Sequence, residues 1–272
     1  MRKPPIPIEP QTDPFQHAFS NIARSILKRL LHFEVLPSTN TYLKTLGDMG
    51  EPEGLVVLAD TQSVGLGRQD RSWHSPLGGL YFSILLRPKN LAATETPLIT
   101  LSTGVAIAKV IHDAFGCKTS LKWPNDVEIN GRKVAGILVE QSLMNEETEY
   151  IVVGVGINAN TSLIEFPHNL QKMATTLREE LDRVIELPRL FSYILGQFEF
   201  WYLRFLDKGF PAITPHWRKL CSHMEKPVII TIGKERITGT TKDIDYDGCL
   251  IIQTPTGRQK IRVGDVTQLK YE

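Results

Sequence analysis

The sequence predicts an α+β fold, a mixed β-sheet with packed helices, followed by a small C-terminal β-barrel. Three observations predict it. Val127-Glu128-Ile129 and the run from Arg132 to Glu140 flank Asn130-Gly131. An Asn-Gly pair between two strand-like runs marks a tight hairpin, because both central residues need positive φ. Leu101, Val105, Ala108, Ile111 and Phe115 recur at helical spacing, as do Leu190, Ile194, Phe198, Trp201 and Phe205. Beyond residue 224, short β-rich runs (Val228 to Ile232, Ile237 to Thr241, Leu250 to Gln253, Lys260 to Val263) are separated by Gly233, Asp247-Gly248 and Thr256-Gly257, as in a small barrel. A local hairpin among long helices argues against a strict βαβ repeat.

The remaining elements follow in chain order. Pro4, Pro5, Pro7, Pro10 and Pro14 cannot support helix or ladder and predict an extended arm. Ile22, Ile26, Leu27, Leu30 and Leu31 predict a short helix after it. Ser38-Thr39-Asn40 forms an N-cap cluster before Tyr42 and Leu43. Leu55 to Ala59, Leu80 to Leu86 and Tyr150 to Val155 read as strands, and Thr176 with Glu179 as a capping box. The expected organisation is an arm and short helix over 1–32, a main domain over 33–223 and the barrel over 224–272.

Composition narrows the function classes. The chain has 42% hydrophobic and 22% charged residues, too apolar for disorder. With 31 Lys+Arg against 30 Asp+Glu the net charge is +1, which argues against a surface built to hold nucleic acid. Residues 1–37 are fewer than the ~50 of even a small independent domain, so no separate DNA-binding module is expected there. No apolar stretch approaches the ~18 residues that cross a bilayer, so no membrane partner is expected. Cys117, Cys221 and Cys249 are few and far apart, which fits a cytoplasmic chain without disulfides or a cysteine zinc site.

Four segments could carry chemistry. In Gly65-Leu66-Gly67-Arg68-Gln69-Asp70-Arg71-Ser72-Trp73, glycines let backbone approach an anion, Arg68 and Arg71 can fork onto a carboxylate or phosphate, and Trp73 can stack a planar base. It is neither a P-loop nor a dinucleotide fingerprint. A plain Gly-rich hairpin with a core Trp accounts for it equally well. Lys122-Trp123-Pro124-Asn125-Asp126 leaves a strand and enters the hairpin, where turn chemistry alone would explain Asn125 and Asp126. Functionally, the Asp126 carboxylate is available to a metal ion or an amine. In the segment from Gly131 to Glu140, strict alternation groups Lys133 with Ala135, Ile137 and Val139. A lysine on an apolar face is costly without an anion, although a sheet-edge lysine is the bland alternative. In Gly154-Val155-Gly156-Ile157-Asn158, glycines mark a bulge or a close approach, and Asn158 can read a base edge.

In this order the segments resemble the biotin protein ligases. The resemblance runs from Ser38-Thr39-Asn40 through Thr61-Gln62, GLGRQDRSWHSP, Gly79 to Ser83, Leu86-Arg87-Pro88, KWPNDV, GRKVAGILVE and VGVGINAN to Val263-Gly264-Asp265-Val266. It implies a class II aminoacyl-tRNA-synthetase-like catalytic fold with a Src-homology-3-like C-terminal barrel. It also implies formation of biotinyl-5′-adenylate from biotin and MgATP, then transfer to a lysine of a biotin carboxyl carrier domain, with a homodimer possible. By resemblance, Arg68, Lys133 and Asp126 serve catalysis, Asp126 with Mg2+ or the incoming amine. Ser38, Thr39, Asn40, Gln62, Arg68, Lys133, Gly136, Gly154 and Gly156 match the biotin-binding positions. Gly65, Gly67, Arg68, Arg71, Trp73, Lys122, Asn125, Lys133 and Asn158 match the ATP and adenylate positions. The Gly65–Trp73 segment is expected to close over the adenylate. It departs from the common Gly-Arg-Gly-Arg-Arg-Gly-Arg form at Leu66, Gln69 and Asp70. A lipoate or octanoate ligase shares the architecture, and some members double as biotin-responsive regulators.

Overall fold

The computed structural model describes residues 5–22 and 25–268; Pro4 of the arm and the last four residues lie outside them. Helix α1 spans Pro14–Ser20, with Pro at its first turn and the Asp13 carboxylate accepting from Phe15 N–H at 2.9 Å. The helix expected around Ile22 to Leu31 does not form. Strand β1 (Arg29–Leu36) begins inside it, so the main sheet starts before residue 33. The apolar spacing there serves two faces instead. Leu30 packs into the core on one side of the sheet and Leu31 against the cluster on the other. The helix falls upstream, where Asp13 and Pro14 supply an N-cap and a pre-set φ. In the arm, Ile8 lies beside β1, its N–H donating to His32 C=O at 2.7 Å.

Helix α2 (Thr39–Asp48) is capped by Ser38, and strands β2 (Leu55–Gln62) and β3 (Leu80–Leu86) follow. Helix α3 (Thr96–Phe115) precedes β4 (Thr119–Lys122), β5 (Asp126–Ile129), β6 (Arg132–Met144) and β7 (Glu147–Ile157). These strands form one seven-stranded sheet in the order β1-β2-β3-β7-β6-β5-β4, with β1 parallel to β2 and the other pairs antiparallel. The β5–β6 turn has φ of 53° at Asn130 and 73° at Gly131, as the Asn-Gly pair demands. Helices α4 (His168–Gln171), α5 (Leu177–Leu181), α6 (Leu187–Lys208) and α7 (Thr214–Leu220) complete this part. Thr176 caps α5 by accepting from Glu179 N–H at 3.2 Å.

The sheet is covered unequally. One face packs on α3 and α6, with Val105, Ile107, Ile111, Ile194 and Leu195 fully buried. Each such side chain is worth roughly 1.5–3 kcal/mol on burial. The other face carries α2 over Phe33, Val57, Leu85 and Val152. The segment Ala93–Phe115 is long and apolar enough to cross a bilayer by length and composition, contrary to the expectation that no stretch qualifies. Its most apolar 18-residue window is 67% buried in the fold, as in the core helix of a globular domain.

The C-terminal sheet contains β8 (Pro227–Ile232), β9 (Glu235–Ile244), β10 (Leu250–Thr254), β11 (Gly257–Ile261) and β12 (Asp265–Gln268), ordered β11-β10-β9-β8-β12 and antiparallel throughout. Strand β12, which the sequence pattern does not announce, returns beside β8. The two parts are bolted at Trp123, 2% exposed. Its backbone N–H donates to His223 Nε2 at 3.1 Å and its indole N–H to Gly248 C=O at 3.0 Å.

Candidate active site

The face carrying α2 gathers most of the expected residues, and a bulge in β6 makes this possible. Pairing with β5 runs Ile129↔Arg132, Glu128↔Lys133, then Val127↔Ala135, which leaves Val134 as an extra residue. Such an insertion breaks the alternation of faces. The grouping of Lys133 with Ala135, Ile137 and Val139 is therefore wrong. Ala135 and Ile137 enter the core beneath α3, whereas Lys133 turns toward Gly136 on the opposite face. There its Nζ lies 2.6 Å from Asp126 Oδ1 and 4.9 Å from the centre of the Trp73 ring.

Gly136 and Gly156 form a flat floor for that ring. A Cβ on either would stand within 2.8 Å of indole atoms, so only glycine admits the contact. Gly154, two residues along β7 on the same face, admits a different neighbour. A Cβ there would lie 2.0 Å from Asn40 Oδ1, so what approaches its backbone is the Asn40 amide.

Asn40 belongs to a buried polar network. Ser83 donates to Asn40 Oδ1 at 2.6 Å and meets Thr39 Oγ1 at 2.7 Å. The Asn40 amide donates to Glu140 Oε2 at 2.9 Å, and Lys44 bonds the other carboxylate oxygen at 2.8 Å. Gln62 Oε1 accepts from Thr39 N–H at 2.8 Å, and Gln62 Nε2 donates to Ser75 Oγ at 2.9 Å. Ser75 in turn donates to Trp73 C=O at 3.1 Å, linking this network to the indole. Ser83, Ser75 and Glu140 lie within the segments that carry the resemblance but have no site role assigned there; Ser83 also stands out as the lone polar residue in the run from Leu80 to Leu86.

The Gly65–Trp73 segment is a hydrogen-bonded hairpin. Gly67 N–H donates to Arg71 C=O at 2.7 Å and Trp73 N–H to Gly65 C=O at 2.8 Å. Gln69 and Asp70 occupy its tip with φ of 54° and 57°. The departure from glycine at position 70 thus falls where glycine would carry no steric cost and where Asp is among the better-tolerated alternatives. Arg68 Nη1 donates to Asn125 Oδ1 and to Asp265 Oδ1, both at 3.2 Å. Burial pulls the Arg68 guanidinium below the ordinary arginine range, opposed by the charge of Asp265. Asp126 acts on both cations, bonding Lys133 and extending its field to Arg68.

The remaining expected residues line the edges of this cluster. Arg71 is half-exposed and reaches Asp265, while Lys122 acts electrostatically on Glu128 and His223 near the junction. Asn158 is buried, its amide donating to Lys133 C=O at 3.3 Å beneath the bulge.

Two family profiles match the chain: the biotin/lipoate A/B protein ligase family over residues 32–158, and the biotin protein ligase C-terminal domain over 223–267. The bifunctional ligase/repressor BirA of Bacillus subtilis is 33% identical over 240 residues, which cover 88% of this chain and 74% of that protein. The chain belongs to the biotin protein ligase family. The biotin–[acetyl-CoA-carboxylase] ligase of Paracoccus denitrificans is 30% identical, with 77% of this chain and 88% of that protein covered. The biotin protein ligase of Aquifex aeolicus in complex with biotin and ATP superposes with a TM-score of 0.79 at 28% identity, covering 90% of this chain and 100% of that one. The seven-stranded mixed sheet and the five-stranded C-terminal sheet are thus the biotin protein ligase architecture, with an SH3-like C-terminal domain.

Proposed function

We propose that this ligase activates biotin with ATP and transfers it to a lysine of a biotin carboxyl carrier domain; its relatives include a biotin–[acetyl-CoA-carboxylase] ligase and a biotin protein ligase seen in complex with biotin and ATP. The observation that carries the reading is the β6 bulge, which brings the Lys133 ammonium onto the glycine floor beside Trp73 and Asp126. In the first step a biotin carboxylate oxygen attacks the α-phosphorus of ATP. A C–O–P linkage forms, the bond to the β-phosphate oxygen breaks, and pyrophosphate leaves. Two anions must meet, so Lys133 and Arg68 lower their repulsion and stabilise the charge that develops. In the second step the carrier lysine amine attacks the acyl carbon, an amide forms, and AMP departs while the amine nitrogen gives up a proton.

The Ser38, Thr39, Asn40, Gln62 and Ser83 network supplies the polar groups for the ureido ring and tail of biotin, and Trp73 the planar surface for the adenylate. A resident magnesium cage does not fit. Among the described residues no three His, Cys, Asp or Glu side chains converge, and the Asp126 carboxylate is ion-paired with Lys133 at 2.6 Å. Magnesium enters with the ATP phosphates as part of the substrate, the usual mode for this ion. The C-terminal match on residues 223–267 favours biotin over lipoate as the acid activated. The three free cysteines fit a cytoplasmic location.

The test mixes protein, MgATP and either biotin or lipoate with an apo carrier domain and reads the carrier's intact mass. A biotinyl increment, lost in Lys133→Ala, is expected. A lipoyl increment, or none with biotin, overturns the assignment.

A further inference from the structure

Arg68 and Arg71 stand at the two ends of the Gln69–Asp70 turn, where the hairpin sets them side by side: Arg71 N–H donates to Arg68 C=O at 3.2 Å and its Nε to the same oxygen at 3.1 Å. Both reach one carboxylate, and it comes from the other sheet. Asp265, the first residue of β12, accepts from Arg68 Nη1 at 3.2 Å and lies 3.0 Å from Arg71 Nη2. The neighbouring Gly264 C=O lies 3.5 Å from Arg68 Nη2. Asp265 is itself fixed, in register with Thr231 of β8. The loop is thereby tied to the C-terminal sheet through charge-assisted hydrogen bonds, the stronger kind.

The bonds spent on this tie leave part of the guanidinium available. Asn125, Asp265 and Gly264 engage Nη1 and Nη2 of Arg68, while among the described residues Nε has no partner. An arginine held at its outer nitrogens and open at Nε presents a defined edge to a carboxylate or phosphate oxygen. Without Asp265, two adjacent cations would repel one another across the turn and Arg68 would keep only Asn125 as a side-chain partner.

We propose that Asp265 is a positioning residue for adenylate formation: from the C-terminal sheet it holds Arg68 and Arg71 so that the Nε edge of Arg68 faces the two anions to be joined. This rests on the ligase reading above. The C-terminal sheet then contributes to the chemistry of the first step without touching substrate. The second step, which breaks an acyl-phosphate bond already formed, depends on it far less.

The experiment compares the full-length chain with Asp265→Ala and Asp265→Glu in three measurements. These are single-turnover adenylate formation from biotin and MgATP, transfer from supplied biotinyl-5′-adenylate to an apo carrier domain, and tryptic cleavage after Arg68 and Arg71. Asp265→Ala should slow adenylate formation about 10- to 100-fold, since a misplacement of about 1 Å in a positioning group can cost that much. Transfer from supplied adenylate should be preserved, cleavage in the loop should accelerate, and Asp265→Glu should recover most of the rate. An unchanged rate of adenylate formation in Asp265→Ala overturns the proposal. So does a lowered KM for biotin at unchanged rate, which would make Asp265 a competitor of the substrate anion. Equal loss of both half-reactions with a collapsed unfolding temperature in both variants would reduce Asp265 to a structural residue. If the natural protein forms no adenylate, the ligase reading fails instead, and unaltered loop cleavage would still count against the tie.

Discussion

Gly136 and Gly156 are register partners on adjacent strands, and the Trp73 ring lies across both. A Cβ at Gly156 would stand 2.5 Å from the indole Nε1 and Cε2, closer than any real contact. Gly156→Ala must therefore lift the ring off the sheet. Overpacking of this kind costs about 1–3 kcal/mol. The larger effect is expected on function, a fall of about tenfold or more in kcat/KM for biotin, since ~1.4 kcal/mol of lost binding already gives that factor. Steady-state kinetics beside thermal unfolding checks it; a stable variant with unaltered kcat/KM would remove Trp73 from the site.

Much of this floor is legible in the sequence. Gly136, Gly156, Lys133 and Trp73 were each marked by residue type and motif order, and the Asn130-Gly131 turn fixed where β5 gives way to β6. The face of Lys133 was not legible. Alternation assumes an unbroken ladder, and the extra Val134 is set by pairing with β5, which depends on a partner strand. The same limit hid Asp265, whose two arginines lie nearly two hundred residues upstream, and misplaced the first helix, where Leu30 and Leu31 serve opposite faces of a strand.

Ser83 is fully buried and lies within 2.7 Å of both Thr39 Oγ1 and Asn40 Oδ1. Ser83→Ala leaves Asn40 Oδ1 without its donor beside the Gly154 backbone. An unsatisfied buried acceptor costs about 1–3 kcal/mol. Asn40 should lose its fixed rotamer, raising KM for biotin while the rate constant for adenylate formation at saturation changes little. Denaturant unfolding and a biotin titration of the first half-reaction check the two halves separately. A fall in the saturated rate with KM unmoved would refute the assignment to biotin binding.

His223 couples stability to acid at the junction between the sheets. Burial, aided by the charges of Lys122 and Lys226, lowers its pKa to about 4. Its neutral ring accepts from Trp123 N–H and faces Thr241 Oγ1. Unfolded, the ring titrates near the ordinary ~6.5. Between those values the unfolded chain binds more protons, so stability falls as pH drops, by roughly 3 kcal/mol in all. His223→Gln, which keeps an acceptor for Trp123 and cannot titrate, should flatten the loss between pH ~6.5 and ~4. Urea midpoints across that range measure it; parallel curves for the two proteins would place the acid sensitivity elsewhere.

His32 acts with the opposite sign. Burial disfavours its charged form, but the hydrogen bond to Asp60 and the fields of Asp60 and Asp13 outweigh it and raise the pKa. The ring bridges Asp60 Oδ1 at 3.0 Å and Asp13 Oδ2 at 3.1 Å, tying the α1 cap to the sheet, and the edge of Phe15 packs against it at 4.9 Å. Here the folded chain holds the proton more tightly than the unfolded one. The stabilisation is complete below pH ~6.5, where both states are protonated, and is lost as pH rises through the folded value. Hydrogen exchange should therefore show residues 13–20 opening more readily at alkaline pH, in the natural protein but not in His32→Gln, where protection is already low. Alkaline opening that persists unchanged in His32→Gln would assign the tie to the apolar contacts of Phe15 and Phe19 alone.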